Sequence, residues 1–156
     1  MPREIHTELI QEYIKLKSNR IFSNSNRDLF KVLLNSIFEN ANEINWGVAN
    51  LDKIKFFLNE GGFESIIKFL QKNKTLKLIT SNGNECLISK LNELSSEYKN
   101  LIFIKKDFEL PQDILTWDKI GYRFSPDKNR LTGVACGNDP EFTSKCNKII
   151  EKMMIH

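Results

Sequence analysis

Apolar residues recur at three- and four-residue spacing through much of the chain, and between those stretches the pattern becomes alternating or briefly continuous. Ile5, Leu9, Tyr13 and Leu16 form a first helical stripe, which the polar run Ser18 to Asn26 ends. Asn26 can cap a second helix, Asp28 lies in its first turn, and Phe30, Leu33, Leu34, Ile37 and Ala41 line one face. Ile44, Trp46 and Val48 then alternate with Asn45 and Gly47, which predicts a strand stopping at Asn50. Helical spacing resumes through Ile54, Phe57 and Leu58, Gly61-Gly62 breaks it, and Phe63, Ile66, Ile67 and Leu70 line the helix beyond. Leu76 to Thr80 reads as a strand, Ser81-Asn82-Gly83-Asn84 as a tight turn, and Glu85 to Tyr98 as a helix with Leu87, Leu91 and Leu94 inward. Leu101 to Ile104, four apolar residues between polar boundaries, predicts a buried strand.

After Asp107 the pattern changes. The stretch from Trp117 to Phe142 reads as a β-hairpin, its arms meeting across Ser125-Pro126-Asp127-Lys128-Asn129. A helix follows, opened by Asp139-Pro140-Glu141 and burying Phe142, Cys146, Ile149 and Met153. Strands separated by helices imply right-handed parallel crossovers. The expected fold class is therefore α/β, a mixed, mostly parallel sheet flanked by helices, with a C-terminal β-hairpin and closing helix. Residues 1–25 are expected to be an N-terminal helix and linker, and residues 26–156 a single domain.

Composition narrows the classes. A chain of 156 residues, 40% hydrophobic and 28% charged, is long enough to bury one core without staples. No apolar run long enough to cross a bilayer occurs, and Met1-Pro2-Arg3-Glu4-Ile5-His6 lacks the apolar core of a secretory signal, so a soluble cytoplasmic protein with no membrane partner is expected. Cys86, Cys136 and Cys146 form no C-x-x-C pair, which points to reduced thiols rather than zinc or redox chemistry. The net charge of +3 permits contact with nucleic acid without requiring it. Lys68, Lys72, Lys74 and Lys77 cluster, and Lys145, Lys148 and Lys152 share a helix face, but such faces are commonly just solvated. Trp46 alternates with core residues and Trp117 begins a strand, so no exposed aromatics are interleaved with the lysines and a nucleic-acid partner is not favoured.

The order helix, strand, helical pair, strand, helix, strand, hairpin and closing helix resembles one repeat of the phospholipase D-like superfamily, over roughly residues 26–154. The helix Arg27 to Ala41 before Ile44 is similar to that family's opening, and Asn138-Asp139-Pro140-Glu141-Phe142 to the start of its last helix. The family's motif is His-x-Lys followed after four residues by Asp, in which the histidine attacks a phosphodiester and the lysine holds the phosphate. The nearest match here is Trp117-Asp118-Lys119 with Phe124 at the Asp position, and the Gly-Ser-type segment reads Gly133-Val134-Ala135-Cys136. The only histidines, His6 and His156, lie at the chain ends. The resemblance therefore implies a member without phosphodiesterase activity, in which Lys119 alone persists as a phosphate contact.

In open α/β sheets ligands gather beyond the carboxyl ends of the strands, which here carry Asn50, Ser81-Asn82-Gly83-Asn84 and Lys105-Lys106. Gly83 lets backbone approach closely and the next helix offers free N–H groups, so Ser81 to Asn84 can cradle an anion; the plainer reading is an ordinary turn with Asn84 as helix cap. The expected phosphate or anion contacts are Asn50, Ser81, Asn82, Gly83, Asn84, Lys105 and Lys119, with no catalytic residue, no metal and no cofactor. Cys136 has no neighbouring base to activate it and reads as a core residue. The function expected is a non-catalytic phospholipase D-like interaction module that homodimerises through the hairpin side, or joins a protein partner in a larger assembly. The alternative is a small phosphodiesterase or nuclease acting on a nucleotide or nucleic acid, using Lys119 with Asp118 or Asp107.

Overall fold

The computed structural model describes residues 3–24, 27–125 and 133–155. In chain order the elements are α1 (Arg3–Lys15), β1 (Ile21–Asn24), α2 (Arg27–Asn40) and β2 (Glu43–Asn50), then a 3-10 turn (Leu51–Ile54), α3 (Lys55–Phe57) and a π turn (Leu58–Gly62). They continue as α4 (Phe63–Gln71), β3 (Thr75–Asn82), α5 (Glu85–Glu97), β4 (Leu101–Lys105), β5 (Asp113–Trp117), β6 (Gly121–Ser125), β7 (Gly133–Cys136) and α6 (Pro140–Ile155).

All strands join one seven-stranded sheet in the order β1-β7-β6-β5-β2-β3-β4. Only β2 with β3 and β3 with β4 run parallel. The pairs β2–β5, β5–β6, β6–β7 and β1–β7 are antiparallel. The α/β class holds, but the expected mostly parallel sheet is corrected to a mixed, largely antiparallel one. The inferred hairpin is present as β6 and β7, but β5 was read as part of the loop before it, and alternation is blind to strand direction, so the antiparallel pairing of β5 with β2 was invisible.

The two faces are covered unequally. Ile44, Trp46 and Val48 of β2 and Leu76 and Leu78 of β3 point into one core with α1, α2, α4 and α5, where Phe38 sits edge-on to Phe69 at 5.3 Å and stacks on Phe57 at 6.0 Å. On the other face α6 packs Cys146, Ile150 and Met153 against Ile79, Ile114 and Tyr122. Two details of the expected elements change. In α1 the buried residues are Ile10 and Ile14, while Leu16 is exposed, so the stripe lies one position off the one inferred. Within the supposed linker, Ile21 to Asn24 form β1, which pairs with β7 from Ile21↔Cys136 to Asn24↔Gly133; the N-terminal segment is thus part of the same sheet.

The hairpin also differs. Trp117 closes β5, and Ile120 N–H donates to Trp117 C=O across a turn in which Asp118 and Lys119 both have positive φ, 53° and 61°. That is the type I′ requirement, usually met by Asn-Gly. Trp117 and Phe124 therefore lie on different strands, and the motif read along one arm is folded back on itself. The turn inferred at residues 126–129 lies outside the described residues. Gly121 faces Trp117, and a Cβ there would lie 2.1 Å from the indole. Gly121→Ala is expected to destabilise the protein by about 1–3 kcal/mol through overpacking, measured by urea unfolding, with Trp117→Leu in the same chain recovering part of the loss.

Candidate functional site

The carboxyl end of the parallel strands was the expected ligand site, and its polar groups are bonded to one another. Ser81 Oγ donates to Ala49 C=O at 2.9 Å and accepts from Leu110 N–H at 3.0 Å. Asn82 Oδ1 accepts from Gly83 N–H, and a Cβ on Gly83 would lie 2.8 Å from Leu51 Cβ, so the glycine serves close packing. Asn84 caps α5 through Leu87 N–H, while its own N–H and side-chain amide both donate to Asp52 Oδ1 at 3.0 and 3.1 Å. A carboxylate of the chain itself thus sits where an anion would be cradled, and it opposes one electrostatically. Asn50 caps the following 3-10 turn by accepting from Asp52 N–H, and Lys105 is exposed at the end of β4.

Deeper at this end lies a buried ionic group. Asp113 accepts from Ala49 N–H at 2.8 Å and pairs with Lys53, both side chains being largely buried. Arg123, 2% exposed, lies over the Phe30 ring at 3.9 Å. Burial pushes its guanidinium down to about 10, against the opposing pull of the Asp113 carboxylate. Removing one member of such a group leaves charge buried without its counterion, which costs far more than the intact group contributes. Asp113→Ala is expected to lower unfolding stability by about 3–5 kcal/mol; a loss under 1 kcal/mol in chemical denaturation would contradict the assignment.

Lys119 lies at the opposite end of the sheet, apart from Asn50, Ser81 to Asn84 and Lys105. Three turns and the start of β2 meet there in one hydrogen-bonded arc. Asp118 Oδ1 accepts from Asn42 N–H and Glu43 N–H at 2.8 and 2.9 Å, and Asp118 N–H donates to Glu43 C=O, which fixes the β5–β6 turn against β2. Thr75 N–H donates to Asn42 C=O and Leu76 N–H to Asn100 C=O. The Asn100 side chain donates to Leu70 C=O and Lys74 C=O at 2.9 and 2.6 Å, tying the turn before β4 to the one before β3.

These turns carry Lys72, Lys74, Lys99 and Lys119, and Lys77 projects from β3 nearby on the α6 face. Lys77 and Lys119 line a cleft of about 260 Å³ with Glu43, Asn45, Asn147 and Glu151. Its floor is a polar row in which Thr116 donates to Asn147 and the Asn45 amide reaches both at 3.5 Å. Two lysines face two carboxylates within the cleft, so the surplus positive charge lies along the rim outside it, on Lys72, Lys74 and Lys99. Among the described residues none of these five lysines forms an ion pair. With strands about 4.8 Å apart, the rim from the β5–β6 turn to β4 is on the order of 15 Å long. The signal that could have found it is the recurrence of lysine beside asparagine before successive strands, in Lys72-Asn73-Lys74 and Lys99-Asn100. Residues that precede parallel strands share one end of the sheet.

No family model and no curated protein sequence matches the chain. Among solved structures its fold is similar to that of TrmBL2, an archaeal chromatin protein whose structure shows a novel mode of DNA binding, with a TM-score of 0.62 at 17% identity. The match covers 96% of this chain and 58% of that one, so this chain spans little more than half of its neighbour's length. At that identity the likeness is one of fold. It overturns the expectation of a non-catalytic phospholipase D-like interaction module, because the neighbour is a DNA-binding chromatin protein, and the nucleic-acid alternative lies closer. Among the described residues no helix is long and apolar enough to cross a membrane.

Proposed function

We propose that this chain contacts nucleic acid, holding duplex DNA by its phosphates through the lysine rim at the amino ends of β2, β3 and β4. The observation that carries the reading is the rim itself. Lysines from separate segments converge at one end of the sheet on turns tied to one another by hydrogen bonds, with none of their charges spent on an ion pair among the described residues. The fold shared with a DNA-binding chromatin protein supports the same ligand class.

Lysine is a flexible point charge, suited to phosphate oxygens rather than to reading base edges. Both tryptophans are buried, Trp46 beside Phe38 and Phe57 and Trp117 over Gly121, so neither offers a stacking surface for single-stranded bases. A rim on the order of 15 Å spans about four base pairs at 3.4 Å each. The binding inferred is therefore electrostatic, indifferent to sequence and sensitive to salt.

Fluorescence anisotropy with a labelled duplex tests this. Affinity is expected to fall with salt at a log–log slope of about −3 to −5, one unit for each phosphate contact displaced. Lys72→Glu with Lys74→Glu should weaken binding at least about tenfold and reduce that slope by roughly two. Lys55→Glu, on α3 at the other end of the molecule, should leave both unchanged. Binding absent at low salt, or equally sensitive to both sets of substitutions, would rule the rim out.

A further inference from the structure

The sheet has an open edge at β4, which among the described residues pairs only with β3. Open edges are normally blunted by shortness, lysine, proline, a bulge or an inward charge, and Leu101-Ile102-Phe103-Ile104-Lys105 is short and ends on a lysine but has no proline, bulge or inward charge along its apolar run. Lys106 N–H donates to Thr80 C=O, so along the alternating backbone Leu101, Phe103 and Lys105 direct their N–H and C=O groups away from β3. Leu101 N–H is already bonded to Tyr98 C=O. The Leu101 carbonyl and both backbone groups of Phe103 and Lys105 face outward. Ile102, 40% exposed, stands on the α6 face beside the half-buried Ile104, and Phe108 is exposed just beyond the strand.

We infer that β4 pairs with β4 of a second copy of this chain, antiparallel, about a two-fold axis through Phe103. The occupant follows from register and charge. A two-fold axis perpendicular to the sheet keeps each face on its own side, so only registers that place like-facing residues opposite one another are allowed. Centred on Phe103, the pairing sets Phe103 against its own counterpart and Ile102 against Ile104 of the second copy. It also brings Lys99, just before the strand, towards Asp107, just after the strand of the second copy, and does so twice by symmetry. Centring on Ile102 instead would set Lys99 against Lys105. Centring on Ile104 would set Phe103 against Lys105 and Asp107 against Leu101. The middle register also sets Leu101 against Lys105 of the second copy, but it alone brings opposite charges together, Lys99 with Asp107, while keeping Phe103, Ile102 and Ile104 against apolar partners. β4 thus carries its own complement.

This surface differs from the hairpin side inferred from the sequence. β5 and β6 are interior strands, paired on both sides, and have no edge to offer. Lys99 belongs both to this contact and to the proposed DNA-binding rim, so Lys105→Pro, which leaves Lys99 in place, separates dimerisation from DNA binding.

Sedimentation equilibrium of the full chain should give twice the 18.2 kDa chain mass. Lys99→Asp sets two pairs of like charges opposite each other and should raise the dimer dissociation constant about tenfold. Asp107→Lys alone should do the same, and the two together should restore wild-type association. Lys105→Pro removes an outward N–H without touching the bond from Lys106 to Thr80, and should give monomers whose circular dichroism matches the parent and whose unfolding midpoint no longer rises with protein concentration. A single-chain mass at every concentration would overturn the inference. So would a dimer indifferent to Lys99→Asp and Lys105→Pro, or a charge swap that fails to rescue.

Discussion

The structure depends on β2 being paired in two senses at once. It runs parallel to β3 on one side and antiparallel to β5 on the other, with Trp46 at its centre enclosed by Phe38 and Phe57. A strand flanked this way is satisfied along both edges, and helices on the two faces bury Ile44, Trp46, Val48 and Ala49 while Glu43 and Asn45 stay half-exposed. Every later element takes its position from this junction. The parallel half brings the starts of β2, β3 and β4 to one end, and the antiparallel half folds Asp118 and Lys119 back to that same end.

The two ends of the sheet have become chemically unlike. At the carboxyl end, Asp113, Lys53 and Arg123 are held in a low-dielectric setting where each charge depends on the others, while Asp52, Ser81 and Asn84 consume the remaining donors. At the amino end the polar side chains bond to backbone, as Asn100 and Asp118 do, and the lysines point outward. Fixed side-chain partners close one end and leave amines without ion-pair partners among the described residues at the other.

The helices α2, α4, α5 and α6 were legible because their apolar spacing is regular, β2 because its apolar residues alternate with polar or small ones, and β3 and β4 because they are short, mainly apolar runs between polar boundaries. β1 was missed because Ile21-Phe22 lies inside a polar stretch, and its pairing with β7 is a backbone ladder that leaves little side-chain signature. The Asp118-Lys119 turn was missed because its left-handed geometry falls on residues that do not advertise it. Of the candidate site residues, Lys119 belongs to the rim and the other six do not. They were chosen by a topological rule, and the contact of Asp52 with Asn84, which spans 32 positions, is invisible to local pattern. Lysines isolated along the chain become one surface only once the order of strands is known.

Trp117, which the sequence pattern set against an attacking imidazole, is a core residue of the sheet. The indole is 3% exposed, covers Gly121 and belongs to the helix-side core. A histidine introduced there would find apolar neighbours, no water and no room for a scissile bond. An imidazole held there by strand alternation would be kept neutral by burial, since charging it in an apolar core is disfavoured.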